Sequence, residues 1–241
     1  MPFELLDSQP SIPDFDLTQW TDDWKKCPIK ENNDPLIDLC GQHDRLHYNP
    51  VYYHQNISGA ITKCYVRQAL LPLLLSVIDQ LPDRYSISIF DAWRPLSVQQ
   101  SLFDEFKQKI KHENPNLSNK DYLKLTQKFV SLPSDNPLFP FPHYTGGSID
   151  LTILDASGIP LDMGTAFDDF TDYAHTAAFE KINHDVPINN TIRNNRRLLY
   201  TLMTHVGFTN YPYEWWHFDY GNQFWATMKG ESASLYGPTV P

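Results

Sequence analysis

Three cysteines in 241 residues, Cys27, Cys40 and Cys64, are too few and too scattered for a disulfide scaffold or a zinc ribbon, and they read as reduced thiols. No Lys/Arg cluster relieves a formal net charge of −10. Nucleic acid is therefore not an expected partner, because phosphate backbones are held by basic patches. No apolar run approaches the roughly 20 residues that span a bilayer, so no membrane partner is expected. The opening stretch, MPFELLDSQPSIPDFDLTQW, has no basic segment followed by an apolar run and does not read as a secretory signal, which makes the cytoplasm the expected address. Glycine is scarce, at 10 residues, whereas the 19 prolines imply many short connections. Hydrophobic residues at 41% and charged residues at 20% are those of a folded globular chain. Its length suffices for a substantial core without cross-links.

Residues 1–35 are rich in Pro and Asp without sustained periodicity and read as an extended N-terminal arm ahead of a domain over 36–241. Apolar residues at Tyr65, Ala69, Leu73 and Ile78 predict a helix from Gly59 to Leu81, which Pro72 kinks or restarts. Tyr85, Ile87 and Ile89 alternate with serines, the period of a half-buried strand, and lead into Asp91-Ala-Trp-Arg94-Pro95. Val98, Leu102, Phe106 and Ile110 recur every four residues and mark an amphipathic helix. Ser118 and Asp121 look like a capping box for another, through about Phe129. A proline-rich loop (132–142) delivers the chain to His143. Residues 148–154 alternate again, with Ser148, Asp150 and Thr152 on one face. Asp155 to Gly158 supplies turn chemistry for a hairpin returning through Ile159–Met163. A last helix is expected from near Asn190, with Gly207 at its C-terminal end, followed by an aromatic strand over about Trp215–Tyr220. Strands and helices mix without regular βαβ alternation. That pattern predicts one α+β domain with a central, mostly antiparallel sheet flanked by helices and the candidate site on the sheet.

Two segments carry metal-ligand chemistry. In His143-Tyr-Thr-Gly-Gly-Ser-Ile-Asp150, the Gly146-Gly147 pair lets the backbone bend so that His143 and Asp150 converge. Asp150 opposes an apolar face of Ile149, Leu151 and Ile153, where a bare carboxylate is costly and a cation relieves the cost. In Glu214-Trp-Trp-His217, Pro212 places the strand start after Glu214, so Glu214 sits in the entering turn. Two histidines and a carboxylate, with a fourth position for water, form a common catalytic zinc set, and an adjacent glutamate suits a general base. Arg94, at a strand end and steadied by Asp91, is placed to meet a developing oxyanion. Taken singly, each of these residues also has a structural reading: Asp150 as a turn cap, Arg94 in an ion pair, Trp215 and Trp216 as core.

Taken together, DAWRP (91–95), HYTGGSIDLT (143–152), LDMGTAFDDF (161–170) and the long block from Asn195 to Ala226 resemble the D-alanyl-D-alanine dipeptidases. These zinc enzymes are related to zinc D,D-carboxypeptidases, and the resemblance covers about residues 36–227. It implies one zinc per chain on His143, Asp150 and His217, Glu214 as base, Arg94 stabilising the tetrahedral intermediate, and a small peptide as substrate. Family members meet the dipeptide's ammonium with acidic groups, and Asp162 is the expected one here, on the partner strand of Asp150's hairpin. The chain departs from the pattern at Phe141, where relatives often carry a serine suited to the substrate carboxylate. It departs again at Ser148 in place of an alanine, and in the segment from Asp38 to Leu46.

Two other readings compete. A non-haem iron oxygenase also uses two histidines and a carboxylate. Its His and Asp usually stand two apart rather than seven, and it has no need of Glu214. A metal-stabilised peptide-binding module without catalysis would typically have lost the base or the arginine, and both are present.

Overall fold

The computed structural model describes residues 9–16, 21–134, 136–182 and 186–241. Of the expected arm, residues 1–8 and 17–20 lie outside the described residues. In the rest of it, Asp22–Lys26 forms a short 3-10 turn capped by Thr21, and its Trp24 packs edge-on against Phe224 at 6.1 Å.

In chain order the regular elements are β1 (Leu36–Asp38), β2 (Leu46–Tyr48), α1 (Val51–His54), β3 (Tyr65–Arg67), α2 (Leu70–Gln80), β4 (Ser86–Asp91), α3 (Leu96–Glu113), α4 (Asn119–Phe129), β5 (Ser148–Leu154), α5 (Pro187–His205), β6 (Thr209–Asn210), β7 (His217–Asp219) and α6 (Gln223–Lys229). Five strands form the central sheet in the order β2-β4-β5-β7-β6. Only β2 and β4 run parallel; the other neighbours are antiparallel. β1 and β3 make a separate two-stranded ribbon. The α+β class and the mostly antiparallel sheet are as the sequence patterning implies. Among the described residues, no helix is long and apolar enough to cross a membrane.

The alternation in β4, β5 and β7 separates two faces. Ile87, Ile89, Ile149, Leu151, Ile153 and Phe218 point into a core shared with Leu70, Leu74 and Val77 of α2 and Leu198, Leu199 and Leu202 of α5. Full burial of each such side chain contributes roughly 1.5–3 kcal/mol, which fixes the strand register by requiring this face to point inward. The opposite face is polar but equally buried. A bulge between Ile89 and Asp91 shifts the β4 register, so that Asp91 rather than Phe90 opposes Asp150. Asp150 in turn pairs with His217 on β7. Three chemistry-bearing side chains therefore lie in one row across three adjacent strands. Bulges that re-aim a side chain are frequent beside functional sites.

Local expectations fail where pairing overrides periodicity. The expected 59–81 helix is a helix only from Leu70, and Tyr65–Arg67 forms β3 instead. Arg67 anchors that strand by donating to the Thr145, Asp34 and Gly237 carbonyls and pairing with Glu31. Pro72 sits in the first turn of α2, where a missing N–H is harmless. The hairpin after Gly158 is reduced to one bridge, Leu154 with Pro160, flanked by hydrogen bonds from Asp155 N–H to the Ile159 carbonyl and from Leu161 N–H to the Ile153 carbonyl. Pro187 starts α5 three residues before the expected Asn190, as proline favours the first helical position. Gly207, at φ +105°, ends it as expected. Ser118 caps α4 by accepting from Asp121 N–H, also as expected.

Candidate active site

His143 lies in the 3-10 turn Pro142–Thr145, which closes on Gly146 at φ +71°. A Cβ at Gly146 would collide with Leu36, and one at Gly147 with the Tyr220 carbonyl. The glycine pair is thus required both by conformation and by close approach. The loop after β4 docks on this turn: Arg94 N–H donates to the His143 carbonyl at 3.3 Å, and His143 Nδ1 lies 2.7 Å from the Ala92 carbonyl. With its Nδ1–H donated there, Nε2 carries the lone pair. That Nε2 lies 3.2 Å from His217 Nδ1 and 3.4 Å from Asp150 Oδ2.

His217 is arranged the other way round. Its Nε2 sits 3.1 Å from Asp219 Oδ2, and its Nδ1 sits 2.9 Å from Asp150 Oδ1. A proton on Nε2 leaves the Nδ1 lone pair aimed inward. One ligand atom from each of His143, Asp150 and His217 lies within 4.8 Å of the others, all three residues buried. Inward lone pairs from two imidazoles and a carboxylate repel one another unless a cation stands between them. This N₂O donor set suits zinc, so the residues fit the ion that the sequence implies.

Glu214 occupies the turn before β7. Its N–H donates to the Tyr211 carbonyl, and its Oε2 lies 3.9 Å from His217 Nδ1. Burial pushes its carboxyl up to about 8, an effect that His217 opposes and Asp150 and Asp168 reinforce. Burial also works against the charge on Asp150, but His143 and His217 hold it well below the usual carboxylate range. Arg94 donates from Nε to Asp91 at 2.8 Å, from one terminal nitrogen to Gln99 Oε1 at 2.7 Å, and from the other to Tyr52 Oη at 3.3 Å. It lies 3.6 Å from Asp150 Oδ2. Burial disfavours its charge, but Asp91, Tyr52 and Asp150 more than offset this and keep it protonated.

These groups line a cavity of about 400 Å³. Phe141 forms part of its wall, 3% exposed and stacked on Tyr144 at 5.3 Å. Asp162 does not line it. Asp162 is exposed, and its carboxylate accepts from Gly164 N–H, because the pairing that was to carry it beside Asp150 stops at Leu161. Of this block, it is Asp168, six positions on, that lines the cavity. It adopts φ +59°, accepts from the Tyr52 hydroxyl, and is pushed up to about 7 by burial, against the pull of Arg94. A second aspartate in GTAFDDF was the available signal. What the sequence does not reveal is that Arg196 folds this loop inward by donating to the Met163, His175 and Tyr173 carbonyls.

A buried aspartate and histidine on neighbouring antiparallel strands and a second histidine from the adjoining turn, with a carboxyl and a guanidinium on the same cavity, have the parts of a metal-assisted hydrolase site. Residues 60–232 match the peptidase M15 family model, described as D-ala-D-ala dipeptidase. The chain belongs to that family. It is 32% identical over 185 residues to a D-alanyl-D-alanine dipeptidase of Synechocystis, covering 72% of this chain and 74% of the relative. A protein of the same name from Escherichia coli is 36% identical over 77 residues, or 32% of this chain and 36% of the relative. Another from Enterococcus faecalis is 29% identical over 136 residues, or 56% and 61%.

Proposed function

We propose that the protein is a zinc-dependent D,D-dipeptidase, holding one zinc per chain on His143, Asp150 and His217. The observation that carries this reading is the convergence of three lone pairs on one buried point with Glu214 beside it. Zinc bound there supplies a lowered pKa for water and polarisation of a carbonyl.

The chain's own groups do the rest. Glu214 takes the proton of the attacking water and passes it to the leaving amine. Arg94, clamped by Asp91 and Gln99, presents its guanidinium to the oxygen on which negative charge develops. Asp168 faces the free ammonium of the substrate, the part the sequence had led us to expect of Asp162. Burial raises the cost of a bare charge on Asp168, and a cation beside it relieves that cost.

D-Alanyl-D-alanine brings only two methyl side chains to a cavity of about 400 Å³, within the range that buries drug-sized ligands. The turn Asp22–Lys26, outside the matched residues, adds Trp24 and Lys25 to the wall. Gln223 pins it by donating to the Lys25 and Cys27 carbonyls. Phe141 offers a ring where a substrate carboxylate would favour a donor. These features support a substrate whose C-terminal residue is larger and more apolar than alanine.

The test is a panel of free and N-acetylated dipeptides with the zinc-loaded protein. Free D,D-dipeptides should be hydrolysed, those with a large C-terminal side chain faster than D-alanyl-D-alanine, and the acetylated ones scarcely at all. Phe141→Ser should raise kcat/KM for D-alanyl-D-alanine by up to about tenfold, the worth of one restored neutral hydrogen bond, while lowering Tm through loss of the stacked ring. Efficient cleavage of D-alanyl-D-alanine by the unaltered protein, with no gain in the serine variant, would remove the specificity argument. Hydrolysis of none of the panel would remove the dipeptidase reading.

A further inference from the structure

His143 and His217 are supported differently behind their inward-facing nitrogens. His143 donates chiefly to a neutral carbonyl, that of Ala92 at 2.7 Å, with the Asp91 carboxylate farther off at 3.4 Å and engaged by Arg94. His217 meets a carboxylate, Asp219 Oδ2 at 3.1 Å. The two side chains leave β7 on the same face, two residues apart, and the β5–β7 register sets Asp150 opposite His217 and Ser148 opposite Asp219.

Asp219 is itself held from behind. Ser148 Oγ donates to its Oδ1 at 2.6 Å, and Asn222 Nδ2 donates to the same oxygen at 2.5 Å and to Ser148 Oγ at 3.0 Å. Asn222 is the N-cap of α6, its Oδ1 accepting from Trp225 N–H at 2.9 Å. Ser148, Asp219 and Asn222 are each 1% exposed or less. Two donors on one oxygen leave the other oriented at the imidazole, so the helix cap and the β5 serine together fix both the position of Asp219 and the tautomer of His217.

We infer that Asp219, braced by Ser148 and Asn222, is the positioning residue that aims His217 Nδ1 into the metal site and raises its affinity for the ion. This rests on the zinc reading above. A carboxylate receiving the outer N–H of a ligating imidazole fixes its ring and raises its basicity, and loss of such a partner typically weakens metal binding 10–100-fold. Ser148, which donates to Asp219 Oδ1 at 2.6 Å, is then part of the same device.

Competition titration of zinc against a chromogenic chelator reads the effect directly. Asp219→Asn keeps shape and one acceptor but removes the charge, and its zinc dissociation constant should rise about 10–100-fold. Ser148→Ala, which leaves Asp219 with the Asn222 donor, should rise by a smaller factor. Against burial, Asp219 and Asp150 hold the metal-free His217 imidazole protonated above its ordinary range, so its ¹⁵N shifts are read at a pH high enough to neutralise it: they should then show Nε2 protonated in the unaltered chain and a mixture of tautomers in Asp219→Asn. An Asp219→Asn protein with a lowered Tm but unchanged zinc affinity and tautomer would reduce Asp219 to a structural role and overturn the inference. If the unaltered protein binds no zinc, it is the metal reading that fails.

Discussion

Glu214→Gln should retain the zinc content of the unaltered protein and lose at least about a hundredfold in kcat, the usual loss on removing a general base. The side chain keeps its volume in the turn before β7, and no ligand atom is altered, because Glu214 Oε2 stands 3.9 Å from His217 Nδ1 and outside the three converging atoms. Burial raises the basicity of its carboxyl, to about 8, and a cation held beside it on the three ligands favours the ionised form that a base requires. A zinc-loaded Glu214→Gln protein with near-normal turnover would assign the base to another group.

Arg94→Ala should lower kcat by about 10²–10³ while KM changes far less, since its guanidinium meets charge that is present chiefly in the transition state. The same change leaves Asp91 without its 2.8 Å partner, so Tm should fall as well; breaking a buried pair costs about 3–5 kcal/mol. Arg94→Lys separates the two effects. It restores a positive charge but not the planar fork that simultaneously meets Asp91, Gln99 and Tyr52, and should recover stability more than turnover. A loss confined to KM in both variants would make Arg94 a ground-state binding group.

The parts of this fold that were legible are those written in local pattern. β4 and β5 announce themselves by alternation, α3 by its four-residue spacing, and α4 by its serine cap. His143 and Asp150 are brought together by a glycine pair whose bend the sequence displays. β1, β2 and β3 were not legible, because three-residue strands carry no measurable period and are defined by their partners; Arg67, tied to three distant carbonyls and Glu31, is what makes β3 a strand. The hairpin after Gly158 is shorter than its pattern suggests, because turn chemistry signals a turn but not how far pairing continues beyond it, and here it stops at Leu161. Asp168 was missed for a different reason. Its placement depends on a long loop folded inward by Arg196, a contact between residues far apart in sequence. Asp219 carries no sequence signal of its own; its place against His217 follows from the strand, and its orientation from Ser148 across the register and from the capping Asn222.

The most direct test is the zinc content of protein purified without chelator, measured by inductively coupled plasma mass spectrometry on the unaltered chain and on His143→Ala and His217→Ala. Two imidazoles and a carboxylate converging on one point predict about one zinc per chain in the first and loss of most of it in both variants, with folding retained by circular dichroism. Full retention of metal in both variants, or none in the unaltered protein, would contradict the account.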